Sequence, residues 1–123
     1  MRGLVWEDSD GVSIVRLPVD VDAANAERIG EEVAAGVSHD PAGLIVDLTA
    51  TRYLDSAGID MLFRLGERLR TRRQALHLVA PEGAPVRRVL EIVSMSETVP
   101  VHGELTFALG AVGGDETPTP ASP

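Results

Sequence analysis

The sequence contains no cysteine, so neither a disulfide framework nor a thiolate metal site can form. Its only histidines, His39, His77 and His102, lie far apart along the chain, and no zinc or iron centre is expected. No apolar run is long enough to span a bilayer and no secretory leader is visible, so the expectation is a cytoplasmic protein without membrane insertion. Lysine is missing as well; every basic residue is Arg, a bias that fits base composition and carries no function. Basic residues number 11 against 19 acidic ones, a net charge of −8, and the only basic tract is Arg70-Thr71-Arg72-Arg73. That balance argues against direct nucleic-acid binding, which depends on neutralising phosphates. It allows a basic protein partner, although acidity by itself mainly speaks for solubility.

What is present suffices for one domain: 123 residues can bury a real core. The stretch from Gly43 to Leu69 organises the rest. Leu44-Ile45-Val46 is a continuous apolar run followed by Asp47-Leu48, the pattern of a strand covered on both faces. Thr49 to Arg52 is small and polar and reads as a connection. Asp55-Ser56-Ala57-Gly58 then precedes apolar residues at helical spacing. Asp and Ser are favoured at helix starts because their side-chain oxygens accept from otherwise orphaned backbone N–H groups. Phased at about 100° per residue, Ile59, Leu62, Phe63, Gly66 and Leu69 share a face that should lie on the sheet. Met61, Arg64, Leu65 and Arg68 fall on the far side or its edge, either as a partner-binding patch or as ordinary surface.

The flanking segments alternate in type. Leu4-Val5-Trp6 and Val12 to Leu17 read as strands joined by the turn Asp8-Ser9-Asp10-Gly11. The second strand has apolar residues on both faces, and Trp6 reads as a packing residue. Pro18 to Asp22 is a loop. Asp22 reads as the cap of a helix carrying Ala26, Ile29, Gly30, Val33 and Val37 on one stripe and ending before His39-Asp40-Pro41. Ala75 to Val79 is a strand in which His77 reads as a lone structural histidine. Pro85 to Val93 is a helix with Pro in its first turn, Val99-Pro100-Val101 an edge strand, and Gly103 to Val112 a last short helix. The order is β-β-α-β-α-β-α-β-α, an α/β fold with a mixed sheet covered by about four helices. Residues 1–112 form the domain, and the Gly/Pro/Thr/Ser-rich residues 113–123 read as a disordered tail.

Ser56 is the leading candidate residue. In the first turn or at the cap its hydroxyl is near the surface. A phosphate there would meet free N–H groups and the positive end of the helix dipole. It would also add up to about two negative charges. The competing reading is a plain helix cap. A hydrolase would need a base within hydrogen-bond reach of Ser56; no G-x-S-x-G elbow surrounds it, and only His77 or His102 could serve. No phosphate-binding G-x-x-x-x-G-K-[ST] loop occurs. Asp22, Asp47 and Asp55 could gather near one end of the sheet, which makes a divalent-ion site conceivable.

The run LIVDLTATRYLDSAGIDML resembles the core motif of the STAS domain family, and more narrowly that of the small bacterial anti-sigma factor antagonists. The matching positions are Asp47-Leu48 and Asp55-Ser56-Ala57-Gly58. The resemblance runs over roughly residues 4–112 and implies the STAS fold. It implies that Ser56 is the phosphoacceptor of a partner kinase, with Ala57 removing the neighbouring hydroxyl often found there. It places Asp22 near that serine, in a turn where Val19 stands in place of the family's usual Gly. By resemblance the domain is no enzyme and needs no cofactor. Its unphosphorylated form would bind a serine-kinase-type anti-sigma factor through Asp22, Asp55, Ser56, Ala57, Gly58, Met61, Arg64, Leu65 and Arg68, freeing a sigma factor for transcription. A PP2C-type phosphatase would reverse the phosphorylation. The alternative within the fold is a non-switching STAS scaffold subunit of a transporter or stress-signalling complex, with Ser56 a plain cap.

Overall fold

The structure, a computed structural model, describes residues 4–37 and 43–113. The chain first reverses at Asp10-Gly11, whose φ angles of 52° and 86° both lie in the left-handed region. That is the two-residue turn whose twist suits a hairpin, and the Gly11 N–H donates to the Asp8 carboxylate at 3.0 Å. It joins β1 (Val5–Ser9) to β2 (Val12–Arg16), antiparallel, with Ser9 opposite Val12. There follow β3 (Asp20–Val21), α1 (Ala26–Gly36), β4 (Leu44–Asp47), β5 (Tyr53–Leu54) and α2 (Ser56–Thr71). β6 (Leu76–Val79), α3 (Pro85–Ile92), a 3-10 turn at Met95–Glu97, β7 (Val101–His102) and α4 (Leu105–Gly113) complete the described chain. Helices between strands force parallel pairing, so β2, β4, β6 and β7 run parallel in a five-stranded sheet of order β1-β2-β4-β6-β7.

Alternation along the strands divides the core in two. Val15, Leu44, Val46, Leu76 and Leu78 point to one face and pack with Ile29 and Val33 of α1, Leu62 and Leu69 of α2, and Val86 and Leu90 of α3. Val12, Ile14, Ile45 and Val79 point to the other and pack under Ala108 and Val112 of α4. The continuous apolar run of β4 is therefore a strand covered on both sides, as read, and every residue of β6, His77 included, is buried as well.

Four details differ from the sequence reading. β3 and β5 form a separate two-stranded parallel pair in segments read as loops. Two residues carry no periodicity, and these strands exist only because the two segments meet. The last strand is Val101–His102 rather than Val99 to Val101. Val99 drops into the core, and the Pro100 carbonyl accepts the Leu78 N–H at 2.9 Å. Asp22 does not cap α1, which starts four residues later behind Asn25. α4 continues through Gly113, one residue into the expected tail. Residues 114–123 and the His39-Asp40-Pro41 breaker lie outside the described residues. Among the described residues no helix is long and apolar enough to cross a membrane.

Candidate functional site

Beyond β4 the chain is stitched to the segment that leads into α1. The Thr51 hydroxyl donates to the Pro18 carbonyl at 2.9 Å. The N–H groups of Arg52 and Tyr53 both donate to the Val19 carbonyl, at 2.7 and 3.1 Å, and the Asp55 N–H reaches the Val21 carbonyl at 3.3 Å. These bonds carry Asp55 and Ser56 to the side of the Asp22 turn. Asp55, the residue before Ser56, thereby lies against Ala23, the residue after Asp22.

Asp55 is the N-cap of α2. Its Oδ1 accepts the N–H groups of Ala57 at 2.9 Å and Gly58 at 3.1 Å, the bonds that favour Asp at this position. Its Oδ2 accepts the Ala23 N–H at 3.3 Å and so ties the α1 approach to the start of α2. Ser56 is the first helical residue and is exposed. The first-turn amides at Ala57 and Gly58 are therefore not free, as the sequence reading assumed; the neighbouring carboxylate holds them. Gly58 is buried where the backbone of β3 passes close by. A Cβ there would lie 2.5 Å from Leu54 Cδ1 and 3.0 Å from the Val21 carbonyl oxygen. Only Gly lets α2 start this near to β3.

Asp22 closes the turn before α1. Its carboxylate accepts the Ala24 N–H at 2.9 Å, and its own N–H donates to the Asn25 side-chain oxygen at 2.9 Å. Its carbonyl accepts from Asn25 and Ala26. Among the described residues neither Asp22 nor Asp55 enters an ion pair. Asp47 is engaged elsewhere: its carboxylate accepts from Thr49 and pairs with Arg16 at 3.6 Å. Among the described residues no three His, Asp or Glu gather as metal ligands would.

The far side of α2 is a correction. Met61 and Leu65 are buried, at 7% and 2% exposure, because α1 lies over them and Met61 rests against Gly30. Helical phasing reports which residues share a face, but not how many neighbours cover the helix. The expected patch is instead the wall of a groove of about 750 Å³ between α1 and α2, with Met61 and Leu65 along it. Arg64 and Arg68 stay exposed. Arg64 pairs with Asp60 one turn earlier at 2.8 Å, and Arg68 crosses to Glu31 of α1 at 3.3 Å. Ala57 and Ala23 line the same groove, so it reaches the Ser56 end of α2.

The histidines form a second cluster, and the reading of His77 as a lone histidine is wrong. His77 Nδ1 and His102 Nε2 lie 2.9 Å apart, with the rings within 19° of parallel. By strand alternation His77 points to the α4 face, opposite to the face that α2 covers. Burial, and next the positive charge of Arg87, lower the His102 pKa below its usual 6.5. Neither the pairing of these rings nor the role of Ala23 has a sequence signal, since each depends on strands and loops meeting at long range.

The family model for the STAS domain matches residues 4–108. The chain belongs to the STAS domain family. Among curated STAS relatives, the anti-sigma-F factor antagonist RsfB of Mycobacterium tuberculosis is 26% identical over 87% of this chain and 86% of its own length. The crystal structure of an anti-sigma factor antagonist from Mycobacterium paratuberculosis superposes with a TM-score of 0.79 at 31% identity, covering 90% of this chain and 93% of that one. The anti-sigma factor antagonist SpoIIAA in its unphosphorylated form shares the STAS fold, with a TM-score of 0.69 at 17% identity over 91% of this chain and 97% of its own. Its sheet-and-helix architecture is the one described above.

Proposed function

We propose that this STAS domain is an anti-sigma factor antagonist: it binds a serine-kinase-type anti-sigma factor and is switched off when that kinase phosphorylates Ser56. The observation that carries the reading is the placement of Ser56, an exposed hydroxyl on the first turn of α2 beside the Asp22 turn and at the end of the α1–α2 groove. Two relatives of matching length, from Mycobacterium tuberculosis and Mycobacterium paratuberculosis, are anti-sigma factor antagonists. The binding surface consists of Asp22, Asp55, Ser56, Ala57 and Gly58 at the cap, with Arg64 and Arg68 at the groove and Met61 and Leu65 along its wall.

The chemistry belongs to the partner, which supplies ATP and Mg²⁺; a PP2C-type phosphatase removes the phosphate. The whole cycle is placed in the cytoplasm. Adding about two negative charges beside Asp22 and Asp55, neither of which has an ion-pair partner among the described residues, makes burial against the partner costly. A hydrolase reading has little to stand on, because His77 and His102 contact each other on the opposite face of the sheet.

The test is to mix the protein with the serine-kinase anti-sigma factors of its own genome, ATP and Mg²⁺, and to record the intact mass. One phosphate mapping to Ser56, absent in Ser56→Ala, is the expected result. Ser56→Ala is expected to stay bound to the partner and Ser56→Asp to bind poorly. Equal affinity of the two variants would rule out the switch. No phosphate from any candidate would leave the scaffold role, with Ser56 as part of a helix start only.

A further inference from the structure

Three of the first-turn amides that could receive a phosphate on Ser56 are already taken. Asp55 Oδ1 holds those of Ala57 and Gly58, and the Ile59 N–H donates to the Asp55 carbonyl at 2.9 Å. The same carboxylate reaches the Ala23 N–H through Oδ2. A phosphate attached at the next residue would be a second anion at one helix end. It carries more charge than a carboxylate and three acceptor oxygens, and the positive end of the α2 dipole favours the larger charge. Among the described residues no ion pair neutralises Asp55 or Asp22, so no cationic side chain offsets the repulsion between the two anions.

We infer that a phosphate on Ser56 replaces Asp55 as the cap of α2, and that the displaced carboxylate lets go of Ala23. This inference rests on Ser56 being the phosphorylated residue. The release is confined. The Asp22 turn keeps its internal bonds to Ala24 and Asn25, and β3 stays paired with β5. The turn therefore shifts as a unit while the sheet and α2 hold. Ala23 and Ala57 both line the α1–α2 groove, so the phosphate alters the α1 side of that surface as well as Ser56 itself. Asp55 is thus a positioning residue that transmits the modification from one helix to the other.

The test needs no kinase, which separates it from the proposal above. Phosphoserine is installed at position 56 by codon reassignment in the full-length, isotope-labelled chain. Amide shifts are then followed by NMR through the phosphate's second ionisation, at a pKa of about 6. The Ala57 and Gly58 amides should titrate together with the ³¹P signal. Loss of one hydrogen bond should make the Ala23 amide exchange with solvent about tenfold faster. Phosphatase treatment should reverse both changes, and the β4 and β6 amides should not move. Ala57 and Gly58 amides that ignore the phosphate titration would overturn the inference. So would an Ala23 exchange rate equal to that of the unmodified chain.

Discussion

The Asp55 carboxylate fixes the first turn of α2 with one oxygen and touches the α1 approach with the other. Replacing it by Ala is expected to cost about 1 kcal/mol, the usual loss for an N-cap, read as a lower urea midpoint. Gly58→Ala should cost more, about 1–3 kcal/mol for a methyl forced into a filled space. The close obstacle at 3.0 Å is the Val21 backbone oxygen, which cannot rotate aside. A Gly58→Ala protein with an unchanged melting temperature would show that α2 can shift away from β3. Asp55 was legible in the sequence because capping is local chemistry, settled within four residues, whereas the need for Gly at 58 was not, since the obstacle is the backbone of β3. Met61 and Leu65 were not, because what buries them comes from α1, some thirty residues earlier.

At the scale of elements, legibility followed length and periodicity. β2, β4 and β6 were readable as apolar runs bounded by turn residues, α2 and α3 were readable by their helical period, and α3 also opens on Pro85. The pair β3 and β5 escaped because two residues have no period, yet this pair brings Asp55 beside the Asp22 turn. The contact between β6 and β7 through His77 and His102 also depended on pairing that the sequence does not display. It has a pH consequence. Burial, assisted by Arg87, lowers the His102 pKa in the folded chain, whereas the unfolded chain keeps a value near 6.5. The folded state thus binds the proton less well, and His102 contributes stability that is fully present above about pH 6.5. That contribution is lost as pH falls through the lower, folded value. Urea midpoints should decline from neutral pH toward acid, and His102→Gln should flatten this part of the curve. An equal decline in His102→Gln would assign it to the carboxylates instead.

For the molecule as a whole, one sheet with a helix layer on each face was recoverable because strands buried on both sides demand two covers. The sheet ends at β1, whose outer backbone has no ladder partner among the described residues. Such a border can template the strand of another copy. Glu7 and Asp8 stand exposed on β1 between Trp6 and Ser9. Two copies meeting along this border would bring four like charges together. The acidity that argued against nucleic acid thus also guards against self-recruitment. Removing the guard with the double variant Glu7→Gln, Asp8→Asn is expected to start fibrillar, thioflavin-positive growth at neutral pH. If that variant stayed monomeric, the twist of the hairpin, and not its charge, would be what keeps neighbouring copies apart.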